Sequence, residues 1–274
     1  MRADQLLVQR GLAASRAQAQ RLIAAGLRWQ SRAGWQAIGK NSDDLPLDAA
    51  IELHGAEVAG ELRFVSRGGL KLESALRDFG LDVAGRHCLD LGQSTGGFTD
   101  CLLRHGAAHV VGVDVGHGQL VPKLRVDPRV VCIEGVNARD ATALREALVA
   151  GAALGVSRAG PAPAGSVPTL PSFELITGDL SFISQTLVLP AVTPLLKTGG
   201  HLLMLVKPQF ELQPGQVGKG GIVRDATLYQ AVRKRVESCC VGLGLELAGW
   251  IESAIKGGDG NREFFILARA QSAG

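Results

Sequence analysis

Aromatic side chains are scarce: Phe, Trp and Tyr make up 4% of the 274 residues, with a single Tyr. No stretch of ~18 uninterrupted apolar residues occurs, so a membrane-spanning helix is not expected. The start, Met1-Arg-Ala-Asp-Gln5, lacks an apolar segment followed by a cleavage site. No signal peptide is therefore expected, and a cytoplasmic location is. The five cysteines (Cys88, Cys101, Cys132, Cys239, Cys240) are odd in number, and none sits in a CxxC or in register with a His pair. That argues against a disulfide framework and against a zinc site, and leaves them as small apolar core residues. A large excess of one charge is missing too, since Lys and Arg exceed Asp and Glu by only three. Glycine, by contrast, is abundant: 36 residues, about twice the usual share of ~7%. Many tight turns or close backbone-to-ligand approaches follow, which favours a loop-built binding site over a helical bundle. At this length one large α/β domain fits, with roughly 60 residues left for a small accessory domain.

The near-balance of charge hides an asymmetry along the chain. Residues 1 to 40 carry Arg2, Arg10, Arg16, Arg21, Arg28, Arg32 and Lys40 against Asp4 alone, whereas residues 41 to 60 carry five carboxylates and no Lys or Arg. A local basic segment points to a polyanion, because each phosphate neutralised releases counterions; the plain alternative is a solvated helix face. Ser15-Arg-Ala-Gln18 reads as a capping box opening a helix, and Gly26 sits where a helix stop belongs. Leu6, Leu7 and Leu12 with Leu22 and Ile23 then form a two-helix core that leaves Arg10, Arg16 and Arg21 to the solvent. The stretches Gln5-Leu-Leu-Val-Gln-Arg-Gly-Leu12 and Ser15-Arg-Ala-Gln-Ala-Gln-Arg-Leu-Ile-Ala-Ala-Gly26 resemble the S4-type RNA-binding module. That module continues with a valine-rich hairpin closed by Asn-Gly or Asp-Gly, from which Leu27-Arg-Trp-Gln-Ser-Arg-Ala-Gly34 departs. The resemblance implies an RNA-binding role for residues 1–60, with Arg10, Arg16, Arg21 and Arg28 as phosphate contacts. Trp29 and Trp35 are read as packing residues.

Residues 61–66 read as a connector, and residues 67–274 as a second domain of alternating apolar runs and helical stretches. His87-Cys-Leu-Asp-Leu-Gly92, His109-Val-Val-Gly-Val-Asp-Val115, Val130-Val-Cys-Ile-Glu134, Glu174-Leu-Ile-Thr-Gly-Asp179 and His201-Leu-Leu-Met-Leu-Val206 are buried-strand candidates, with Glu246 to Ile251 and Phe264 to Ala268 as edge strands. The fold class expected is α/β, a seven-stranded Rossmann-like sheet beside a small N-terminal α+β domain. Gly151 to Ser172, rich in Ala, Gly and Pro, reads as a flexible loop between the third and fourth strands.

In such sheets ligands bind at the carboxyl ends of the strands. The first turn, Asp90-Leu-Gly92-Gln-Ser-Thr-Gly96-Gly97-Phe98, does not have the G-x-G-x-x-G spacing of a pyrophosphate site, so NAD is not expected. An acid at one strand end, a glycine turn, and Asp114 at the tip of the next strand suit a nucleoside with an amino-acid tail and a sulfonium. The ligand expected is S-adenosylmethionine, with Asp114 on the ribose hydroxyls and the Gly92–Gly97 backbone against the methionine part. Chemistry beside the methyl donor needs a proton acceptor. Lys71, Asp179, Lys207 and Glu263 stand at strand ends or element starts; Lys207 follows an apolar run and precedes a proline. A lysine acts as a base only if burial or another cation favours its neutral form. Lys71 could supply that cation, while Asp179 and Glu263 would oppose the shift, and the balance is open at this level.

The chain as a whole resembles the TlyA-type family of hemolysin-named ribosomal RNA ribose 2'-O-methyltransferases. The matching stretches are Val65-Ser-Arg-Gly-Gly-Leu-Lys71-Leu, Leu89-Asp-Leu-Gly-Gln-Ser-Thr-Gly-Gly-Phe-Thr-Asp100, Asp114-Val-Gly-His-Gly-Gln-Leu120, Asn137-Ala-Arg, Asp179-Leu-Ser-Phe-Ile-Ser184, Leu205-Val-Lys-Pro-Gln-Phe-Glu211, and Ile255-Lys-Gly to Gly260-Asn-Arg-Glu263. The resemblance implies an FtsJ-like methyltransferase domain, a Lys71–Asp179–Lys207–Glu263 catalytic set with Lys207 as base, and transfer to cytidine in ribosomal RNA or ribosomal subunits. The methyl transfer expected requires no metal, and without an apolar span no membrane partner is expected. The cofactor residues the resemblance implies are Asp90, Gly92, Ser94, Thr95, Gly96, Gly97, Phe98, Asp114 and Asn137. Gln93 stands where the family commonly has a small residue, and His117 where it often has Tyr. The alternatives are a catalytically silent ribosome-assembly factor, which a substitution in the catalytic set would favour, and a membrane-lysing hemolysin, which dye leakage from liposomes would reveal.

Overall fold

The computed structural model describes residues 1–13, 15–53, 58, 62–159 and 170–271, with the backbone alone from 153 to 159. The chain divides into two compact units, Met1–Leu70 and Lys71–Gly274. The expected connector begins at Glu61, outside the described residues.

The first unit is built on the helices Ala3–Gln9 and Arg16–Ala24. Ser15 opens the second: its hydroxyl accepts the Gln18 N–H at 3.2 Å, a cap worth ~1 kcal/mol. Gly26 closes it at a φ of 98°, a left-handed conformation open to glycine without strain. Leu6, Leu7, Leu22 and Ile23 are buried with Leu27, Ile38 and Leu45, and Leu12 packs partly buried against them. Despite its unusual sequence the hairpin forms. Strands β1 (Arg28–Ser31) and β2 (Gly34–Ala37) pair antiparallel across a two-residue turn, and β3 (Ile51–Glu52) joins the other edge of β1. The Ser31 hydroxyl accepts the Ala33 N–H at 3.1 Å, and Gly34 supplies the positive φ, so a serine takes the part expected of an Asn-Gly turn. Trp29 packs on the core as expected; Trp35, on the edge strand β2, does not and stands 43% exposed.

The second unit carries a seven-stranded sheet. Its strands are β4 (His87–Leu91), β5 (His109–Asp114), β6 (Val130–Glu134), β7 (Phe173–Gly178), β8 (Leu196–Val206), β9 (Leu245–Glu252) and β10 (Phe264–Ala270). They lie in the order β6-β5-β4-β7-β8-β10-β9. The first five positions are parallel, and β10 runs antiparallel to both its neighbours. Leu89, Leu91, Val111, Val113, Ile176, Leu202, Met204 and Ile266 form the core, the continuous burial of a sheet covered on both faces. Cys88, Cys101 and Cys240 are buried, and burial pushes the Cys88 and Cys240 thiols up to about 12.

One sequence expectation is overturned here. Gly151 does not begin a loop: the helix Ala141–Ala159 runs through it, and residues 160–169 of the expected loop lie outside the described residues. Alanine is the best helix former, and Gly151 packs against Ile133, whose Cδ1 a Cβ there would meet at 2.7 Å. The chain thus leaves β4 toward β5 and β6 on one side and returns through β7 and β8 on the other. The order reverses between β4 and β7, and the crevice at their carboxyl ends is where such sheets bind ligands.

Candidate active site

At the end of β4 the chain turns on Gly92, at a φ of 75°. A Cβ there would lie 2.8 Å from the Asp179 carbonyl, so only glycine lets the first turn pass beside the β7 exit. The Gly92 N–H reaches Val113 O at 2.8 Å, and the Asp179 N–H reaches Leu91 O at 3.0 Å. Three strand ends are thereby locked together. Asp114, the last residue of β5, accepts the Ser94 N–H and the Gly116 N–H on separate oxygens, each at 2.7 Å. Ser94 adopts a strained φ of 46° for that placement.

Asp90 lies beneath this turn, fully buried. One oxygen accepts the Thr99 hydroxyl at 2.7 Å, and Thr99 in turn accepts the Gln93 amide at 2.9 Å. The other oxygen has no partner among the described residues. Burial, reinforced by the charges of Asp179 and Asp114, raises the Asp90 carboxyl from 3.8 to about 7. Gln93, one of the two residues that depart from the family pattern, points inward over Gly112, where a Cβ would meet its amide at 2.0 Å.

Gly92, Ser94, Asp114 and Asn137 line a cleft of about 960 Å³ that extends past Asp179 and Ser181 to Phe182 and Phe210. Of the other expected cofactor residues, Thr95 is half-buried, Gly96 is seated against Leu120 and Leu124, and Gly97 is buried at the start of the helix Gly97–Arg104. Phe98 does not face the cleft: its ring stacks on Phe265 at 6.2 Å. The donor set fits a nucleoside with a charged amino-acid tail: a carboxylate at the β5 tip, a glycine turn with no room for a side chain, and an unpartnered acceptor beneath it.

The four residues singled out for chemistry form two ion pairs. Lys71, on the helix Arg67–Asp78, pairs with Glu263, which directly precedes β10; both are buried. Lys207, directly after β8, lies 2.7 Å from Asp179, directly after β7, and donates to the Ser181 hydroxyl at 2.8 Å. Burial raises the Glu263 carboxyl, opposed chiefly by Lys71; Asp179 and Lys207 also act on it through space, so the two pairs are electrostatically one group. Phe182 stands beside them, 90% exposed at a φ of 62°, with its ring 5.1 Å from that of Phe210.

Residues 64–270 match the FtsJ-like methyltransferase family. The chain belongs to that family. It is 42% identical over 276 residues to the 16S/23S rRNA (cytidine-2'-O)-methyltransferase TlyA of Mycobacterium tuberculosis, covering 99% of this chain and 90% of that protein. It is 38% identical over 264 residues to Hemolysin A of Brachyspira hyodysenteriae, covering 96% and 98%. A solved structure named as a hemolysin, from Streptococcus thermophilus, superposes with a TM-score of 0.69 at 37% identity, covering 99% of this chain and 88% of that one. Among the described residues no helix is long and apolar enough to cross a membrane, and no cluster of His, Cys, Asp and Glu is placed to hold a metal ion.

Outside the FtsJ-like domain Arg10 and Arg16 are exposed as expected and Arg21 is half-buried, but several of these arginines also hold partners within their own unit. Arg16 is exposed yet sits 2.8 Å from Asp4, whose side chain is fully buried. Arg2 shares that carboxylate at 3.1 Å. Hydrogen bonds from Arg2 and Arg16 hold the Asp4 carboxyl well below the usual carboxylate range. Arg10 donates to the Ala49 carbonyl, Arg21 is half-buried, and Arg28 donates to Trp35 O at 3.2 Å and faces Glu52 at 3.8 Å. Sequence reasoning missed Ser181, Phe182, Thr99 and Glu211 as parts of the site. All of them stand inside the matched stretches after β4, β7 and β8, but no spacing rule separates them from their neighbours.

Proposed function

We propose that this chain is an S-adenosylmethionine-dependent ribosomal RNA methyltransferase that acts on the ribose 2'-hydroxyl of cytidine. The observation that carries the reading is a single cleft lined by Gly92 and Asp114 at adjacent strand tips and by Asp179, which holds Lys207 at 2.7 Å. When bound, S-adenosylmethionine supplies an electrophilic methyl group on a sulfonium. Asp114 would accept hydrogen bonds from its ribose, the Gly92–Gly97 backbone would lie against its amino-acid part, and Asp90 would offer an acceptor beneath the turn. Lys207 removes or shares the proton of the attacking hydroxyl, steadied by Asp179 and Ser181. Lys71 and Glu263 set the field around that lysine. Phe182 offers the acceptor nucleotide an exposed ring once it has left its stack, which costs a few kcal/mol. Alignment supplies roughly 7 to 11 kcal/mol of the acceleration, and proton transfer ~10²- to 10⁴-fold.

Residues 1–60 act as the S4-like RNA-binding domain, joined through 61–66 to the methyltransferase domain at 67–274. A cytoplasmic location follows from a ribosomal substrate. The test is transfer of labelled methyl to isolated ribosomal subunits lacking the modification, with Lys207→Ala alongside. Ribose-methylated cytidine from the wild type alone, with Lys207→Ala binding cofactor normally, is the expected result. No label in any subunit preparation despite cofactor binding overturns the reading in favour of a silent assembly factor.

A further inference from the structure

Glu211 is a carboxyl that the chemistry above leaves unused, and it is as deeply buried as Glu263, each 3% exposed. It ends the short helix Pro208–Glu211 that directly follows Lys207. Its side chain crosses to the β7 exit: one oxygen accepts the Gln185 N–H at 2.6 Å and the other the Ser184 hydroxyl at 2.5 Å. These are the first residue and the cap of the helix Gln185–Val192. A carboxylate there satisfies one backbone donor that the helix leaves open and meets the positive end of its dipole. A second tie runs the opposite way, from the buried Gln185 amide to Leu205 O of β8 at 3.0 Å. Arg235 holds the Glu211 carbonyl at 2.8 Å, strapping in the helix Thr227–Gly242.

These ties close a frame. On one side β7 and β8 are joined by their ladder, up to Gly178 opposite Met204; on the other, Glu211 joins the two segments that leave those strands. Between the two sides lie the Lys207–Asp179 and Lys207–Ser181 contacts and the Phe182–Phe210 ring pair. We propose that Glu211 is a positioning residue: it fixes the separation of the two exit segments and so places the Lys207 ammonium and the Phe182–Phe210 rim. The inference rests on reading Lys207 as the group that meets the ribose proton.

Glu211→Ala leaves the Gln185 N–H and the Ser184 hydroxyl without their acceptor. Since a misplacement of ~1 Å costs about 10²-fold, kcat for methyl transfer should fall by ~10- to 100-fold while calorimetric cofactor affinity changes little. Glu211→Gln keeps an oxygen for Gln185 and offers Ser184 an N–H in exchange, so it should restore most of the rate. Crystal structures of both variants read the frame without any turnover. The Lys207–Asp179 contact and the ring pair should be lost in Glu211→Ala and regained in Glu211→Gln. Unchanged kcat in Glu211→Ala, or a glutamine variant as slow as the alanine one, overturns the proposal. If Glu211→Ala fails to fold, Ser184→Ala removes one of the two ties and should show a smaller fall in kcat at unchanged cofactor affinity; no fall overturns it. Should the wild type move no methyl at all, the functional reading falls, and an unmoved Lys207–Asp179 pair in the variant crystals still judges the frame.

Discussion

Each unit of the chain buries one aspartate completely, and the two are opposites. Asp4 is surrounded by Arg2, Arg16 and Gln20, so its charge is stabilised by hydrogen bonds and its proton is given up easily. Asp90 meets a single threonine hydroxyl, keeps one oxygen unpartnered among the described residues, and holds its proton to about 7. A buried charge is tolerable when paired and costly when not. Asp4 is therefore part of the fold of its unit, whereas Asp90 is a cost to the second unit that fits the cofactor role proposed for it.

The largest effect expected from breaking this contrast is at Asp90. Its folded-state pKa is raised, so its contribution to stability is full below about 4 and is lost as the pH climbs through about 7. Asp90→Asn should therefore unfold at a higher temperature than the wild type at pH 8 and at nearly the same temperature at pH 4, a difference of up to ~4 kcal/mol. Thermal unfolding across that range is the check, and parallel curves at both pH values would remove the strain assigned to Asp90. With cofactor added the order reverses. Wild-type affinity should strengthen between pH 6 and 8 as Asp90 ionises, while Asp90→Asn should bind more weakly and without that pH dependence in calorimetry. Asp114→Ala should weaken cofactor binding at every pH, by ~10-fold or more for a lost charge-assisted hydrogen bond.

Asp4 predicts the opposite slope. Its folded-state pKa is lowered, so its stabilisation is present above about 4 and disappears as the pH falls through the lowered value. Asp4→Asn should destabilise the protein at pH 7 and cost progressively less in acid. Denaturant unfolding at pH 7 and pH 3 reads this directly, and equal costs at the two values would mean that packing, not charge, is what Asp4 supplies.

The same two residues show what the sequence can and cannot reveal. The strands that carry Asp90, Asp179 and Lys207 are legible because a parallel strand buried on both faces is an unbroken apolar run; Leu202 to Val206 is buried at every position. The first residues of β8, Leu196 to Gly199, are half-buried or exposed and end in glycine, and escape that rule. The helix beyond Gly151 escaped for the reverse reason, since its Ala- and Gly-rich composition reads as a loop until Gly151 is seen packed against Ile133 and Val131. Asp179, Lys207, Lys71 and Glu263 could be named from strand ends and resemblance, but their pairing could not. It depends on β7 lying beside β8 and on β10 bringing Glu263 back to Lys71 from 192 positions away. Phe182 was invisible because nothing local marks a phenylalanine that will adopt a left-handed backbone.

The arginines give the finest test. Basic residues were legible as charge, but their partners were not, because Arg16 reaches Asp4 across two helices. Arg16→Gln should therefore cost stability by loosening Asp4 as well as weaken RNA binding, and it cannot report on phosphates alone. Arg32, exposed in the hairpin turn, has no such duty to Asp4. If the first unit grips RNA through its phosphates, Arg32→Gln should leave the unfolding temperature unchanged and lower the slope of log affinity against log salt by up to ~0.9, the share of one phosphate contact. An unaltered slope for Arg32→Gln would remove the hairpin turn from the RNA contact.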